Sequence, residues 1–245
     1  MEDFYEEKYH QVEKKQWWFV SRRDIILGQA LSILKDKPDS QILEIGCSSG
    51  LLTISLEEKG LNVTAIDISP KAVSRAQALG CKNVQVLNGG ELLFPDNSFD
   101  LIIASDVLEH IEDDANAVRN WKKLLKPGGY AIVYVPAFSF LWSKFDEINC
   151  HFKRYRLVEL ENLFKTNGLS IKRASYWNFS LFLPVYFIRK LSKLLGETEQ
   201  SASSQINLPS KPINSLLLFL LKLEKFWLLK LKFPFGISCF VISQK

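Results

Sequence analysis

The chain lacks a Cys-x-x-Cys pair. Cys47, Cys81, Cys150 and Cys239 are scattered, with no His/Cys cluster around them. That spacing indicates neither a zinc site nor a disulfide framework, so no metal is expected and a reducing cytosol is the expected setting. Also missing is a run of about 20 consecutive apolar residues, which a membrane span needs. The greasiest stretches are cut by Pro184 in one case and by Lys222, Glu224, Lys225 and Lys230 in the other. The opening, Met1 to Glu7, is acidic and has no apolar core, so it does not read as a secretory signal. The glycine bend after the first strand-like run, Gly46 to Gly50, fits neither Gly-x-Gly-x-x-Gly nor a phosphate-binding loop, since no Gly-Lys-Ser/Thr follows it.

What is present suits one α/β domain with an insertion: 245 residues, 47% of them apolar. The net charge of +4 is unevenly spread. From His151 onward there are 15 Lys and Arg against 5 Asp and Glu, a net +10, whereas residues 1–150 carry 16 against 22, a net −6. A basic back half points to something anionic, such as a phospholipid surface, a phosphorylated substrate or nucleic acid, or else to a solvated helix face.

Residues 1–40 form an N-terminal helical cap, with Trp17-Trp18-Phe19 and Arg22-Arg23 docking on the main domain or lining a substrate entrance, and a helix from Asp24 to Leu34. Strands and helices then alternate. The strands are Gln41–Ile45, Asn62–Ile66, Val84–Leu87, Phe99–Ala104 and Tyr130–Val135; the helices are Leu51–Lys59, Pro70–Leu79 and Asp113–Leu125. Pro70 starts its helix where a missing N–H costs little. Lys126-Pro127-Gly128-Gly129 stops the last one. This alternation predicts a mostly parallel sheet covered on both faces. A helix Leu157–Asn167, a strand Leu169–Tyr176 and a final strand Ile237–Ser243 complete it. The main domain is thus 41–176 plus 236–245.

Residues 177–235 are too long for a plain connection and read as an inserted subregion. It holds two apolar pieces, Phe179–Leu195 and Ile213–Phe233. A polar link, Glu197–Pro212, joins them and contains Ser201-Ala202-Ser203-Ser204. Residues 178–235 carry 8 Lys and Arg against 3 Asp and Glu, a net +5. Apolar bulk flanked by Lys and Arg is the composition of an interfacial anchor, so peripheral membrane contact is expected here. A lid over the domain's own core, or a dimer contact, has the same apolar stripes.

The bend itself brings backbone N–H groups and a helix N-terminus to a ligand above the strand end. Asp67 ends the neighbouring strand, where a carboxylate takes both hydroxyls of a ribose. Five stretches in order carry a resemblance: Leu43-Glu44-Ile45-Gly46-Cys47-Ser48-Ser49-Gly50, Ile66-Asp67-Ile68-Ser69, Phe94-Pro95-Asp96-Asn97-Ser98-Phe99-Asp100-Leu101-Ile102, Asp106-Val107-Leu108-Glu109-His110 and Leu124-Leu125-Lys126-Pro127-Gly128-Gly129. Over about residues 40–135 the chain resembles class I S-adenosylmethionine-dependent methyltransferases. That family has Gly where Ser48 stands, and often an Asp where Asn88 stands. More narrowly, Trp17-Trp18-Phe19 with Arg22-Arg23, His151-Phe152-Lys153-Arg154-Tyr155 and Pro234-Phe235-Gly236-Ile237-Ser238 look like a bacterial branch similar to enzymes of cell-envelope glycans and lipids. Its usual His before the Trp pair is Gln16 here.

The resemblance implies a Rossmann-like sheet of seven strands, the last antiparallel. It implies S-adenosylmethionine as cofactor and S-adenosylhomocysteine as product. By the same resemblance, Glu44 shapes the bend. Gly46, Cys47 and Gly50 let the backbone approach the amino-acid end. Asp67 holds the ribose, Ile68 packs on adenine, Asn88 and Gly89 meet its edge, and Ser105 and Asp106 face the methionine part. Methyl transfer asks for orientation and exclusion of water, and an oxygen or nitrogen acceptor also needs a base. There are three histidines. His10 lies in the polar start and is a poor candidate. His110 follows the fourth strand, and His151 lies where substrate loops gather; His151 is preferred as base, with His110 second. Trp18, Arg22, Arg154 and Tyr155 are the candidate substrate contacts. The expected function is methylation of an oxygen of a hydrophobic or lipid-linked acceptor at the cytoplasmic membrane face. The alternatives are a soluble small-molecule methyltransferase with the insertion as lid, and a silent cofactor-binding subunit. Nucleic acid is not expected, because the basic charge is mixed with aliphatic runs and no Asn/Asp-Pro-Pro-Tyr/Phe motif occurs.

Overall fold

The computed structural model describes residues 3–37, 39–198, 206–228 and 230–245. In chain order the elements are α1 (Asp3–Val12), α2 (Trp17–Ile33), β1 (Gln41–Ile45), α3 (Leu51–Glu57), β2 (Asn62–Asp67), α4 (Pro70–Ala78), β3 (Val84–Val86), β4 (Phe99–Ser105), α5 (Asp114–Leu124), β5 (Leu125–Pro136), α6 (Lys144–Ile148), α7 (Leu157–Thr166), β6 (Ser170–Trp177), α8 (Phe182–Leu195), α9 (Lys211–Leu228) and β7 (Ser238–Gln244). The Ser201–Ser204 part of the polar link lies outside the described residues, as do Met1 and Glu2.

One seven-stranded sheet runs in the order β3-β2-β1-β4-β5-β7-β6. All neighbours are parallel except β7, which lies antiparallel between β5 and β6. The buried strands read as continuous apolar runs because both faces are covered. Along β4, Leu101 and Ile103 face one side with Ile25, Leu56 and Leu221, while Ile102 and Ala104 face the other with Trp121, Leu160 and Phe164. This period of two is the pleat of a strand.

Local chemistry sets several boundaries. The helix expected from Asp24 begins seven residues earlier, at Trp17, because the Gln16 side chain accepts from Trp18 N at 2.8 Å and caps it. Pro70 follows Ser69, whose hydroxyl accepts from Ala72 N at 3.2 Å. The short helix α6, absent from the sequence reading, is set by a capping box between Ser143 and Asp146.

The insertion is docked on the sheet rather than hung from it. Helix α9 buries Leu221, Glu224 and Leu228 against α2 and the sheet. Its Glu224 carboxylate accepts from the backbone N–H groups of Phe179 and Ser180, both at 3.0 Å, and from the Ser180 hydroxyl at 2.8 Å. Asn214 accepts from Trp17 N at 2.9 Å, and Lys225 Nζ donates to Asp24 O at 2.8 Å. The Arg173 guanidinium covers the end of α9, donating to the carbonyls of Leu228 and Leu231, where a cation is favoured. The outer faces of α8 and α9 stay apolar and exposed. Among the described residues, no helix is long and apolar enough to cross a membrane.

Candidate functional site

Two cavities open at the C-terminal ends of the parallel strands, where ligands of open α/β sheets bind. The first, about 440 Å³, is lined by Gly46, Ser48, Asp67, Ile68, Asn88, Gly89, Ser105, Asp106 and Val107, among others. Its floor is backbone. Gly46 has φ +75°, and a Cβ there would lie 2.4 Å from Val107 Cγ2, so only glycine lets the chain turn under the ligand. Ser48 sits at φ +50°, where the family's glycine is more at ease; its left-handed backbone is paid for by the amide it presents to Asp67 at 2.9 Å.

Asp67 accepts from Ser48 N through one oxygen and from Ser69 N through the other, each at 2.9 Å. The carboxylate is thereby fixed in the cavity wall, with a further lone pair on each oxygen for ribose hydroxyls. Burial raises its pKa, offset in part by these two amides. Ile68 is 70% exposed and offers a flat apolar face for a base. The loop carrying Gly89 is pinned by Trp121 Nε1, which donates to Gly89 O at 2.7 Å. Asn88 Oδ1 accepts from Gly90 N at 3.0 Å, so its first task is to hold this turn. A fixed carboxylate, an uncovered apolar face and a glycine floor fit a nucleoside-bearing cofactor.

Helix α1 closes one side. Glu13 accepts from the Ser48 hydroxyl at 3.0 Å, Glu6 accepts from the Ser69 hydroxyl, and Glu7 pairs with Arg75 at 2.5 Å. Glu6, Tyr9 and His10 therefore line the first cavity, a role the polar opening of the sequence does not announce.

The second cavity, about 460 Å³, is mainly apolar, with Trp17, Trp18, Val185, Ile188 and Ile206 in its wall and Glu109, His110, His151 and Arg154 as polar groups. The two cavities share Tyr9, Asp106 and His110. His110 and His151 meet edge to face, ring centroids 4.7 Å apart. They are brought together by the Phe152 N–H, which donates to Glu109 O at 2.7 Å and ties the segment after α6 to the turn after β4. His151 Nδ1 lies 2.9 Å from Asp146 Oδ1. Asp146 is in turn gripped by Arg154 through Nε at 2.7 Å and Nη2 at 3.1 Å. Burial would raise the Asp146 carboxyl, but the bond from His151 and the Arg154 guanidinium hold it well below the usual carboxylate range. Against an ionised carboxylate Nδ1 must be the donor, which leaves Nε2 of a neutral His151 as an acceptor. Burial, with His151 beside it, pushes His110 down to about 4. Burial and the charge of Asp106 push Glu109 well above its ordinary value.

Of the residues expected at the site, Gly46, Asp67, Ile68, Asn88, Gly89, Ser105 and Asp106 share the first cavity. Trp18, His110, His151 and Arg154 share the second. Glu44, Cys47 and Gly50 line neither. Glu44 is buried behind the bend, where it accepts from the Thr53 hydroxyl at 2.5 Å and burial pushes it up to about 8. Cys47 N–H donates to Ile66 O at 3.0 Å, and Gly50 opens α3 at φ +80°. These three shape the bend from behind.

Two expected substrate contacts are placed elsewhere. Tyr155 is 2% exposed in the core, its hydroxyl 3.0 Å from Asp114 Oδ2 and 3.3 Å from Leu108 O. Arg22 is caged by the faces of Trp18, Tyr134 and Trp177, at 4.9, 5.3 and 4.7 Å. Its guanidinium donates to Ser105 at 3.0 Å, to Ser238 at 3.1 Å and to Asp106, so it bolts α2 to the ends of β4 and β7. Besides α1, sequence alone does not single out Glu109, inside the Asp106–His110 stretch, or Asp146. The Ser143-x-x-Asp146 cap was the signal for the latter.

Residues 43–133 match the methyltransferase domain family. Ubiquinone biosynthesis O-methyltransferase from Rickettsia bellii (strain OSU 85-389) is 34% identical over 116 residues, covering 46% of this chain and 48% of that protein. The enzyme of the same name from Colwellia psychrerythraea (strain 34H / ATCC BAA-681) is 30% identical over 126 residues, covering 49% and 51%. The chain thus spans about half the length of the curated relatives it matches. Among solved structures, a SAM-dependent methyltransferase from Archaeoglobus fulgidus superposes with TM-score 0.60 at 16% identity, over 91% of this chain and 94% of that one. The cyclase SpnF superposes with TM-score 0.58 at 16% identity, over 90% and 80%. The fold alone therefore does not set the reaction; the motifs and the first cavity do the narrowing. Residues 43–133 thus match the methyltransferase domain family, and the fold around them is that of class I S-adenosylmethionine-dependent methyltransferases.

Proposed function

We propose that the protein transfers the methyl group of S-adenosylmethionine to an oxygen of a hydrophobic, lipid-linked acceptor at a membrane surface. The observation that carries this reading is the meeting of the two cavities at Asp106 and His110, with the apolar one ending on a histidine–carboxylate pair. When bound, S-adenosylmethionine supplies a methyl group already activated on a sulfonium. Gly46, Asp67 and Asp106 would hold it; the Trp17–Trp18 wall orients the acceptor and excludes water. His151 Nε2 takes the proton of the acceptor hydroxyl, and Asp146 steadies the imidazolium that results. The curated relatives bear the name O-methyltransferase, which favours oxygen.

The membrane part rests on α8 and α9. Val185 and Ile188 of α8 line the acceptor cavity, while Phe187, Leu191, Leu194 and Leu195 of the same helix are more than half exposed. On α9, Ile213, Leu216, Phe219 and Phe226 form a second exposed stripe. Lys190, Lys193, Lys211 and Lys222 stand beside them. An apolar stripe with basic neighbours suits the surface of an anionic bilayer.

Two measurements test the proposal. Incubated with methyl-labelled S-adenosylmethionine and a membrane extract, the protein should move label into the organic phase. Label confined to the aqueous phase would assign a soluble acceptor and make the insertion a lid. The double variant Leu194→Glu, Leu195→Glu alters side chains 76% and 77% exposed. It should keep its fold and its affinity for S-adenosylhomocysteine yet stop sedimenting with anionic vesicles. Equal sedimentation of variant and parent would remove the membrane from the proposal.

A further inference from the structure

We propose that Glu109, His110 and His151 bind a divalent transition-metal ion at the junction of the two cavities. One ligand atom from each lies within 4.8 Å of the others. Glu109 is fully buried, and among the described residues neither of its carboxyl oxygens has a hydrogen-bond partner. A buried carboxyl with neither partner nor solvent is costly, and such an orphan calls for a group that satisfies it. The two imidazoles beside it are the natural companions of such a group. Two histidines and one carboxylate suit Zn²⁺, Co²⁺ or Fe²⁺ rather than Mg²⁺ or Ca²⁺, which prefer all-oxygen shells.

The surroundings are also those of a built site. His151 Nδ1 bonds Asp146 at 2.9 Å, and Arg154 and Ser143 hold Asp146 in place. A carboxylate behind a ligating histidine fixes its tautomer and aims Nε2 at the ion. With donors about 2.1 Å from a metal, any two of them stand at most about 4.2 Å apart. At a tetrahedral angle they stand about 3.4 Å apart, so the widest pair closes by about 1.4 Å, within the reach of side-chain torsions. Occupancy commits His151 Nε2, so at any moment this nitrogen is either a ligand or the proton acceptor assigned to it above. The binding claim is independent of the proposed reaction.

Cobalt is the probe. The full chain, stripped with a chelator, is titrated with Co²⁺ and followed by visible absorption and calorimetry. One Co²⁺ per chain should bind, with d–d bands that Zn²⁺ abolishes. Glu109→Gln, which is isosteric, and His151→Asn should each weaken binding by more than about tenfold. His10→Asn, at the far wall of the cofactor cavity, should leave it unchanged. Absence of saturable binding, or binding that Glu109→Gln does not alter, would overturn the site, as would an equal loss in His10→Asn. If either variant shows no cooperative melt, the other decides. S-adenosylhomocysteine affinity is measured on the same samples. Retained nucleoside binding without cobalt sinks the metal alone, whereas cobalt binding without nucleoside binding supports the metal and sinks the methyl-transfer reading.

Discussion

Replacing His151 with alanine should lower methyl transfer by about 10²–10⁴-fold, the usual contribution of a general base, while leaving S-adenosylhomocysteine affinity unchanged. His151 lines only the acceptor cavity, and the groups that would hold the nucleoside lie on β1, β2 and the loop pinned by Trp121. The loss should fall on turnover rather than on nucleoside binding. A second variant separates chemistry from scaffolding. Asp146→Asn keeps the shape of the support but no longer demands a protonated Nδ1, so turnover should fall again with His151 in place. The Arg154 guanidinium then loses its counter-charge, so the melting temperature should drop too. His151→Ala at parental turnover would clear this residue of the base role.

The second large effect is at the other end of the site. Asp67→Ala should weaken S-adenosylhomocysteine binding by about 1.5–3 kcal/mol, the range for hydrogen bonds to a charged group. That corresponds to roughly a tenfold to hundredfold rise in the dissociation constant. The alanine variant also strands the Ser48 and Ser69 amides, each bonded to this carboxylate at 2.9 Å. Asp67→Asn keeps one carbonyl oxygen, so it strands one of these two amides where alanine strands both. It should restore the melting temperature more fully than the affinity. Calorimetry showing parental affinity in both variants would take Asp67 out of the ribose contact.

How far the sequence spoke depended on whether a feature is local. The strands from Gln41 to Val135 were legible because a parallel sheet covered on both faces demands unbroken apolar runs. Ser69-Pro70 and Lys126-Pro127-Gly128 marked ends of elements because caps and breakers act within a turn. The first cavity was legible for a related reason: strand ends of a parallel sheet converge, so Gly46, Asp67 and Asp106 must be neighbours. What escaped depends on distant segments meeting. Nothing near Tyr155 tells that it pairs in a bridge with Ala137 and is swallowed by the core. Nothing near Arg22 tells that three aromatic faces enclose it. Glu109 does not stand out in the sequence because its isolation is a property of its surroundings. Helix α1 was missed as a cavity wall because its contacts lie with Ser48, Ser69 and Arg75, far along the chain.

The wall that the two cavities hold in common has a thermodynamic consequence. Tyr9, Asp106 and His110 face both, and Arg22 anchors Asp106 from a helix whose Trp17 and Trp18 line the acceptor side. A ligand that settles on one side of these residues changes the surface offered on the other. Linkage then requires the effect to be mutual: by whatever factor the nucleoside alters affinity for the acceptor, the acceptor alters affinity for the nucleoside by the same factor. Product release inherits this bond. Under the proposed reaction, S-adenosylhomocysteine held in the first cavity should therefore shift the affinity of the second for the methylated acceptor.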